Sequence, residues 1–322
     1  MTLPSEGWRP TASRARLERR AAALAEVRAF FAKRNVLEVD TPVVVNSPVT
    51  DVHIHSAEVK FARDGAPFFL HTSPEFAMKR LLAAGSGDIY QICHVARGLE
   101  RGRHHNAEFT LIEWYRNGFT LEQLMDEVEA LARAVLGPVA QPFKSERITY
   151  RELFLNALGL DPLECAIEDL QDVARNLGFE GNSARDELLD FLISAKIGPT
   201  LGRGALTFIH RYPSSQAALA RLDPASSQYA LRFELYCEGI ELANGFHELA
   251  SEPEQRARFE QDRTERKRRG LPTHALDENM LAALAHGLPD CAGVALGFDR
   301  LLMLAAGASH IDEVLPFPIE RA

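Results

Sequence analysis

The sequence predicts an α+β fold, a class in which a mostly antiparallel sheet is flanked by helices, and three observations point to it. Ile89-Tyr-Gln-Ile-Cys-His-Val-Ala96 and Phe109-Thr-Leu-Ile-Glu-Trp-Tyr115 read as two strands. The long, polar and basic loop between them is unlike a tight structural hairpin. Strand-like runs return at Leu206–Arg211 and Leu231–Ile240. Helical periodicity fills separate blocks around these runs instead of alternating with each strand, so the helices should form segregated layers.

Each element follows from its local pattern. Residues 12–34 place Leu17, Ala21, Leu24, Val27, Phe30 and Phe31 at helical spacing, with charge on the other face. Val36–Val45 then leaves the helix as an extended segment. Pro42 removes a ladder donor there, which predicts an edge or interface strand. Residues 51–71 alternate well enough for a hairpin around Arg63-Asp-Gly-Ala-Pro67, ending in a strand at Phe68–His71. Ser73-Pro-Glu75 opens a helix with a capping hydroxyl, a proline and an acid in the first turn, and Gly85 stops it. Residues 120–136 form an amphipathic helix. Residues 148–200 are largely helical and read as an insertion into one domain spanning residues 1–322. Helices follow at 253–269 and 277–286, and an apolar helical run begins at Leu301, with Asp299 placed to cap it.

Composition narrows the function classes. With 322 residues, 46% hydrophobic and 25% charged, the chain has the make-up of an ordinary globular protein able to bury a large core. No apolar run is long enough to span a bilayer, and Met1–Pro10 lacks the apolar core of a secretory signal, so a cytoplasmic location is expected. Cys93, Cys165, Cys237 and Cys291 are scattered, which indicates neither a zinc site nor a disulfide framework. The net charge of -9 argues against a broad nucleic-acid-binding surface. The arginine-rich stretches at 14–20 and 256–269 read as solvated helix faces.

Two segments carry the chemistry. In Gly239-Ile-Glu-Leu-Ala-Asn-Gly-Phe-His-Glu248, the carboxylates Glu241 and Glu248 stand in an apolar or small-residue run, where a buried charge needs a compensating cation. Hard oxygens of this kind suit Mg2+ shared with substrate phosphates. In Gly293-Val-Ala-Leu-Gly-Phe-Asp-Arg-Leu301, Arg300 offers a guanidinium fork for a phosphate, so two acids and an arginine fit a nucleotide site.

In this order, the segments resemble the signature motifs of class II aminoacyl-tRNA synthetases. The first helix with Asp40-Thr-Pro42 is similar to motif 1, Arg97–Tyr115 to motif 2 and Gly293–Leu304 to motif 3. His71-Thr-Ser-Pro-Glu75, His105-Asn-Ala-Glu-Phe-Thr110 and Glu241–Glu248 resemble the lysyl subgroup. Motif 1 begins near the N-terminus, leaving no room for an anticodon-binding domain, so no tRNA anticodon contact is expected. A freestanding lysyl-type core looks like the elongation factor P–(R)-β-lysine ligase family. Leu81–Gly85, Gly239–Leu249 and Leu288–Gly297 support that branch.

The resemblance implies an ATP-dependent ligase that forms a β-lysyl adenylate and transfers it to a lysine ε-amino group of elongation factor P, working as a homodimer with ATP and Mg2+. It implies catalytic roles for Arg97, Glu241 and Arg300. ATP would meet Arg97, Gly98, Leu99, Glu100, His105, Asn106, Phe109, Glu241, Leu242, Gly297 and Arg300. The lysine-type substrate would meet Ser73, Pro74, Glu75, Glu113, Tyr115, Asn244, Glu248 and Ala295, and Mg2+ would be held by Glu241 and Glu248. One run departs from the family: Arg97-Gly-Leu-Glu100 stands where Arg-Asn-Glu-Glu is common, keeping Arg97 and Glu100. Two further readings stay open, a ligase charging another acceptor (a tRNA or a carrier protein) and a non-catalytic paralogue with a regulatory binding role.

Overall fold

The computed structural model describes residues 7–61, 65, 67–98, 100–181 and 183–322. Helix α1 (Arg14–Ala32) starts where the Ser13 hydroxyl accepts the Arg16 N–H, and it buries Ala23, Val27, Phe30 and Phe31. The extended segment after it breaks in two. β1 (Leu37–Glu38) joins the edge of the main sheet and β2 (Val44–Val45) joins a small one, with Pro42 in neither. β3 (Glu58–Val59) and β4 (Phe68–Leu70) pair antiparallel in that small sheet, as the hairpin reading expects. Residues 63, 64 and 66 of its turn lie outside the described residues.

Helix α2 (Glu75–Ala83) follows, and the Ser73 hydroxyl accepts the Glu75 N–H at 3.0 Å. Strands β5 (Ile89–Ala96) and β6 (Glu108–Asn117) pair antiparallel around the long loop. Helix α3 (Leu121–Leu136) opens on a Thr120–Gln123 capping box and buries Leu124, Val128, Leu131 and Val135.

Strand β7 (Lys144–Thr149) was not expected. Its Lys-Ser-Glu-Arg start is polar because it forms the exposed outer edge of the sheet. The helices α4 (Tyr150–Leu158), α5 (Ile167–Asn176) and α6 (Arg185–Leu192) come next, then β8 (Ala205–Pro213) and the short β9 (Leu222–Asp223).

The run expected as one strand to Ile240 is a hairpin: β10 (Ser226–Cys237) turns into β11 (Ile240–His247). Glu238 and Gly239 both have positive φ, 51° and 77°, which suits a two-residue turn. A Cβ on Gly239 would also lie 2.7 Å from the Pro199 carbonyl oxygen, so glycine is required on both counts.

Helices α7 (Glu252–Arg268) and α8 (Glu278–Gly287), strand β12 (Cys291–Gly297) and helix α9 (Phe298–Ala305) complete the chain's main elements. Asp299 does not cap α9. It is buried in the first turn, where it accepts the backbone N–H of Thr110 at 2.6 Å and pairs with Arg20.

The main sheet runs β1-β5-β6-β12-β11-β10-β8-β7, with β9 beside β10. Only the two outermost pairs, β1/β5 and β7/β8, are parallel. One face packs on α1, α3 and α9 through Phe31, Trp114, Val128, Leu296, Phe298 and Leu301. The other face is covered at one end by α2, α7 and α8 and at the other by α4–α6, through two separate apolar clusters. Between those clusters the sheet is left open as a cleft.

Candidate active site

Strand register builds the cleft floor. One cross-strand row runs Gln91, Glu113, Ala295, Asn244, Glu234, and the next runs Ile89, Tyr115, Gly293, Phe246, Arg232. Glu241 and Asn244 are an odd number of residues apart, so strict alternation would put them on opposite faces. A bulge corrects this: Leu235 pairs with Ala243 and Tyr236 with Glu241, leaving Leu242 unpaired. Leu242 and Ala243 then both pack into the core, while Glu241, Asn244 and Glu248 line the cleft, whose volume is about 1430 Å³.

At one end lies a buried cluster of charge. On α2, Glu75 and Lys79 are one turn apart and share a face; Lys79 Nζ is 2.7 Å from Glu75 Oε1 and 2.7 Å from Glu248 Oε2. Glu113 accepts the Ser73 hydroxyl on Oε2 and the Tyr115 hydroxyl on Oε1, both at 2.7 Å. Lys79, Glu113 and Glu248 are 0%, 2% and 4% exposed, so in a nearly dry site one ammonium pairs with Glu75 and Glu248 while Glu113 beside them is held by two hydroxyls.

Burial and then the Glu75 charge raise the Glu113 carboxyl above its usual range. Burial pushes Glu248 up to about 7, with Lys79 opposing. Burial works against the Lys79 ammonium, yet Glu248 and Glu75 hold its pKa above the usual value. A Cβ on Gly293 would lie 2.3 Å from the Tyr115 ring and 2.5 Å from Glu248 Oε1, so glycine there lets the tyrosine lie across the strand.

The other end is cationic. The Arg97 guanidinium sits 5.2 Å from the Phe109 ring centre, its Nε donates to the Thr72 carbonyl, and Glu100 is 3.9 Å away. Arg300 donates from Nε to the His104 carbonyl and from Nη1 to the Glu241 carbonyl. Its Nη2 lies 2.6 Å from His105 Nε2. Burial, then the Arg300 charge, pushes His105 down to about 4, so a neutral imidazole accepts that bond. Among the described residues beyond its chain neighbours, the nearest atom to a Cβ on Gly297 would be Arg300 Cδ at 3.7 Å, and Gly297 lines the cleft.

Some expected residues are placed elsewhere. Glu241 and Glu248 lie at opposite ends of β11, roughly 20 Å apart at the rise of a strand, so they cannot share one cation. Glu248 belongs with Lys79 instead. Glu241 has Glu234 as its carboxylate neighbour across the hairpin; burial first and that neighbour second raise its pKa. Glu234 was missed, although an acid inside Phe233-Glu-Leu-Tyr-Cys237 is the same signal that singled out Glu241. Its own oxygens accept Arg232 Nη2 at 2.6 Å and the Tyr236 hydroxyl at 3.1 Å. Two adjacent carboxylates suit Mg2+, which takes few protein ligands and fills its shell from phosphates and water.

Leu242 turns its side chain into the core and leaves only its backbone to the cleft. Asn106 is spent on structure: its amide donates to the Glu108 carbonyl and its oxygen accepts the Ile319 N–H. Pro74 is the cap residue of α2, without a side-chain bond. Gly98 donates to the His55 carbonyl at 2.7 Å, and Leu99 lies outside the described residues. Lys79 is the other residue that sequence reading missed; its signal was a lysine among Met78 and Leu82 on the buried face of a helix.

Comparison with known proteins identifies the family. The family model described as tRNA synthetases class II (D, K and N) matches residues 7–321. The elongation factor P–(R)-β-lysine ligase of Vibrio cholerae serotype O1 is 49% identical over 328 residues, covering 99% of this chain and 100% of its own. The protein of the same name from Vibrio campbellii is 50% identical, covering 98% and 99%, and that from Salmonella typhi is 46% identical, covering 98% of each. The chain belongs to the class II tRNA synthetase family and, within it, to the elongation factor P–(R)-β-lysine ligases.

Proposed function

We propose that this protein uses ATP to activate (R)-β-lysine as an adenylate and transfers the β-lysyl group to a lysine ε-amino group of elongation factor P. The observation that carries the substrate class is the charge imbalance among Glu75, Glu113, Glu248 and Lys79. Three acids, two of them buried, with one ammonium leave a deficit that the two ammonium groups of a diamino acid would fill. The names of the relatives supply the acceptor.

In the first step a substrate carboxylate oxygen attacks the α-phosphorus, and the bond to pyrophosphate breaks. In the second the acceptor amine, having lost its proton, attacks the acyl carbon, and AMP leaves. Arg97 and Arg300 would offset charge on the phosphates, and Phe109 would offer a ring to adenine. Glu234 and Glu241 would hold Mg2+, which when bound neutralises phosphate charge. Ser73, Glu113 and Tyr115 orient the substrate through a fixed hydrogen-bond chain. ATP–pyrophosphate exchange with α- and β-lysine isomers tests the reading, and exchange with none of them would refute it.

Ala295 lies between Glu113 and Asn244 on the cleft floor. Its methyl is a shape element in a packed pocket, where one carbon is worth ~1–3 kcal/mol. Ala295→Gly should therefore raise exchange with α-lysine relative to β-lysine by roughly tenfold, that energy expressed as a rate ratio. An unchanged ratio assigns selectivity to other residues.

The raised carboxyls also predict a pH dependence. The folded, unliganded protein binds protons at Glu113 and Glu248 more tightly than the unfolded chain does, so their contribution to stability falls as pH rises from the usual carboxylate range through about 7 for Glu248 and about 8 for Glu113. A dicationic ligand reverses this by favouring the charged acids. The thermal upshift given by (R)-β-lysine should be larger at pH 8 than at pH 5.5, and an equal upshift at both would contradict it.

We also propose a homodimer built on α1 and the segment after it. Leu37 in the outermost strand β1 and Val43 in the segment after it are apolar yet 56% and 45% exposed. Sedimentation at micromolar concentration should show a dimer; a monomer alone would refute the proposal. No helix among the described residues is long and apolar enough to cross a membrane, and a translation-factor substrate would place the enzyme in the cytoplasm.

A further inference from the structure

The loop between β5 and β6 carries Arg97 at its start and His104–His105 near its end, and those histidines hold Arg300. Its position therefore sets both cations at the nucleotide end of the cleft. The two polar side chains common in the family at positions 98 and 99 are Gly98 and Leu99 here. The loop is fastened from outside.

Arg101 donates from Nη1 and Nη2 to the two oxygens of Asp312, at 2.9 and 2.8 Å. Its Nε donates to Glu320 at 2.5 Å, and Nη1 also reaches the His105 carbonyl at 3.2 Å. Arg103 Nε donates to the Ser309 carbonyl, and the Ile311 N–H returns a bond to the Arg103 carbonyl. Every one of these partners outside the loop belongs to residues 309–320.

That C-terminal segment is itself anchored. Ile311, Val314 and Leu315 are buried in the core, Thr11 and Ala12 donate to the carbonyls of Pro316 and Leu315, and Arg16 pairs with Glu313 at 2.5 Å. A bidentate guanidinium–carboxylate pair fixes direction as well as distance. With its donors committed to Asp312, Glu320 and His105, Arg101 is not available to a phosphate, although it lies in a basic loop.

We propose that Arg101, Asp312 and Glu320 form a latch through which the C-terminal segment positions the nucleotide-binding loop. Arg101 is thus a positioning residue for ATP that acts through His104, His105 and Arg300. The latch rests on the nucleotide reading given above for that end of the cleft.

The test is direct binding by calorimetry, with Mg2+·ATP and with (R)-β-lysine separately, together with a melting curve. The variants are Arg101→Ala, Asp312→Asn, the pair combined, and Arg101→Lys. A loop set loose from its register should bind Mg2+·ATP roughly tenfold more weakly in each single variant. The double variant should be no weaker than the singles, since both break one unit. Arg101→Lys should fall between, because an ammonium keeps the charge and loses the fork. Lysine binding and melting temperature should not move.

Unchanged ATP affinity overturns the latch, and so does an additive double variant. Equal loss of both ligands with a lower melting temperature overturns it as well, because the contacts would then be structural only. A wild-type protein that binds no Mg2+·ATP sinks the nucleotide reading itself, a result separate from any of these.

Discussion

Glu241→Gln and Arg300→Ala should each abolish most adenylate formation while leaving the protein folded. Glu241 and Glu234 are neighbouring carboxylates, and Arg300 is tied to Glu241 through the Glu241 carbonyl at 3.0 Å. Removing one preorganised electrostatic group from a site of this kind costs on the order of 10²–10³ in rate, ~3–4 kcal/mol. The two variants should differ in stability. Glutamine at 241 relieves the like-charge contact with Glu234 and gives up only a long, 3.8 Å pairing with Arg300, so its melting temperature should hold. Alanine at 300 loses contacts to His104 and His105 and should lower it slightly. Pyrophosphate exchange and a thermal melt decide the matter. Full activity in either variant removes the assignment of this end of the cleft to nucleotide. Glu248→Gln supplies the contrast: it should weaken lysine binding and leave direct Mg2+·ATP binding intact.

The last variant exposes where the sequence was legible and where it was not. Strand and helix blocks could be read because their periodicity is local, and the residues expected at the site mostly meet in one cleft because alternate positions of adjacent strands share a face. The shared metal ion could not be read correctly. Two acids in one apolar run look equivalent along the chain, yet an extended strand holds them apart, and the carboxylate beside Glu241 comes from the preceding strand across a turn. The bulge at Leu242, which decides the face on which Glu241 emerges, leaves no mark in composition. β7 was missed for the opposite reason: an exposed parallel edge has no apolar face to betray it.

Lys79 shows most sharply what burial adds to the reading, and Lys79→Met is the substitution expected to damage stability most. Methionine matches the lysine stem in volume, so packing on the buried side of α2 survives and the change isolates the charge. Without the ammonium, Glu75 and Glu248 lose their cation beside the buried Glu113 at the nearly dry end of the cleft. Breaking a buried pair from one side costs ~3–5 kcal/mol, unlike replacing both partners by apolar groups. Proton uptake by the acids limits the loss, so the penalty should grow as pH rises and the carboxyls ionise. A fall in melting temperature of roughly 5 °C is expected near pH 8 for a chain of this size. Adding Glu248→Gln to Lys79→Met should restore part of it, since it removes one of the orphaned charges. The lysine-type ligand should restore part as well, because its ammonium groups enter the same deficit. A melting temperature unaffected by Lys79→Met, or a double variant less stable than the single, would show that the three acids do not depend on this cation. The charge imbalance would then no longer explain why the cleft takes a diamino acid.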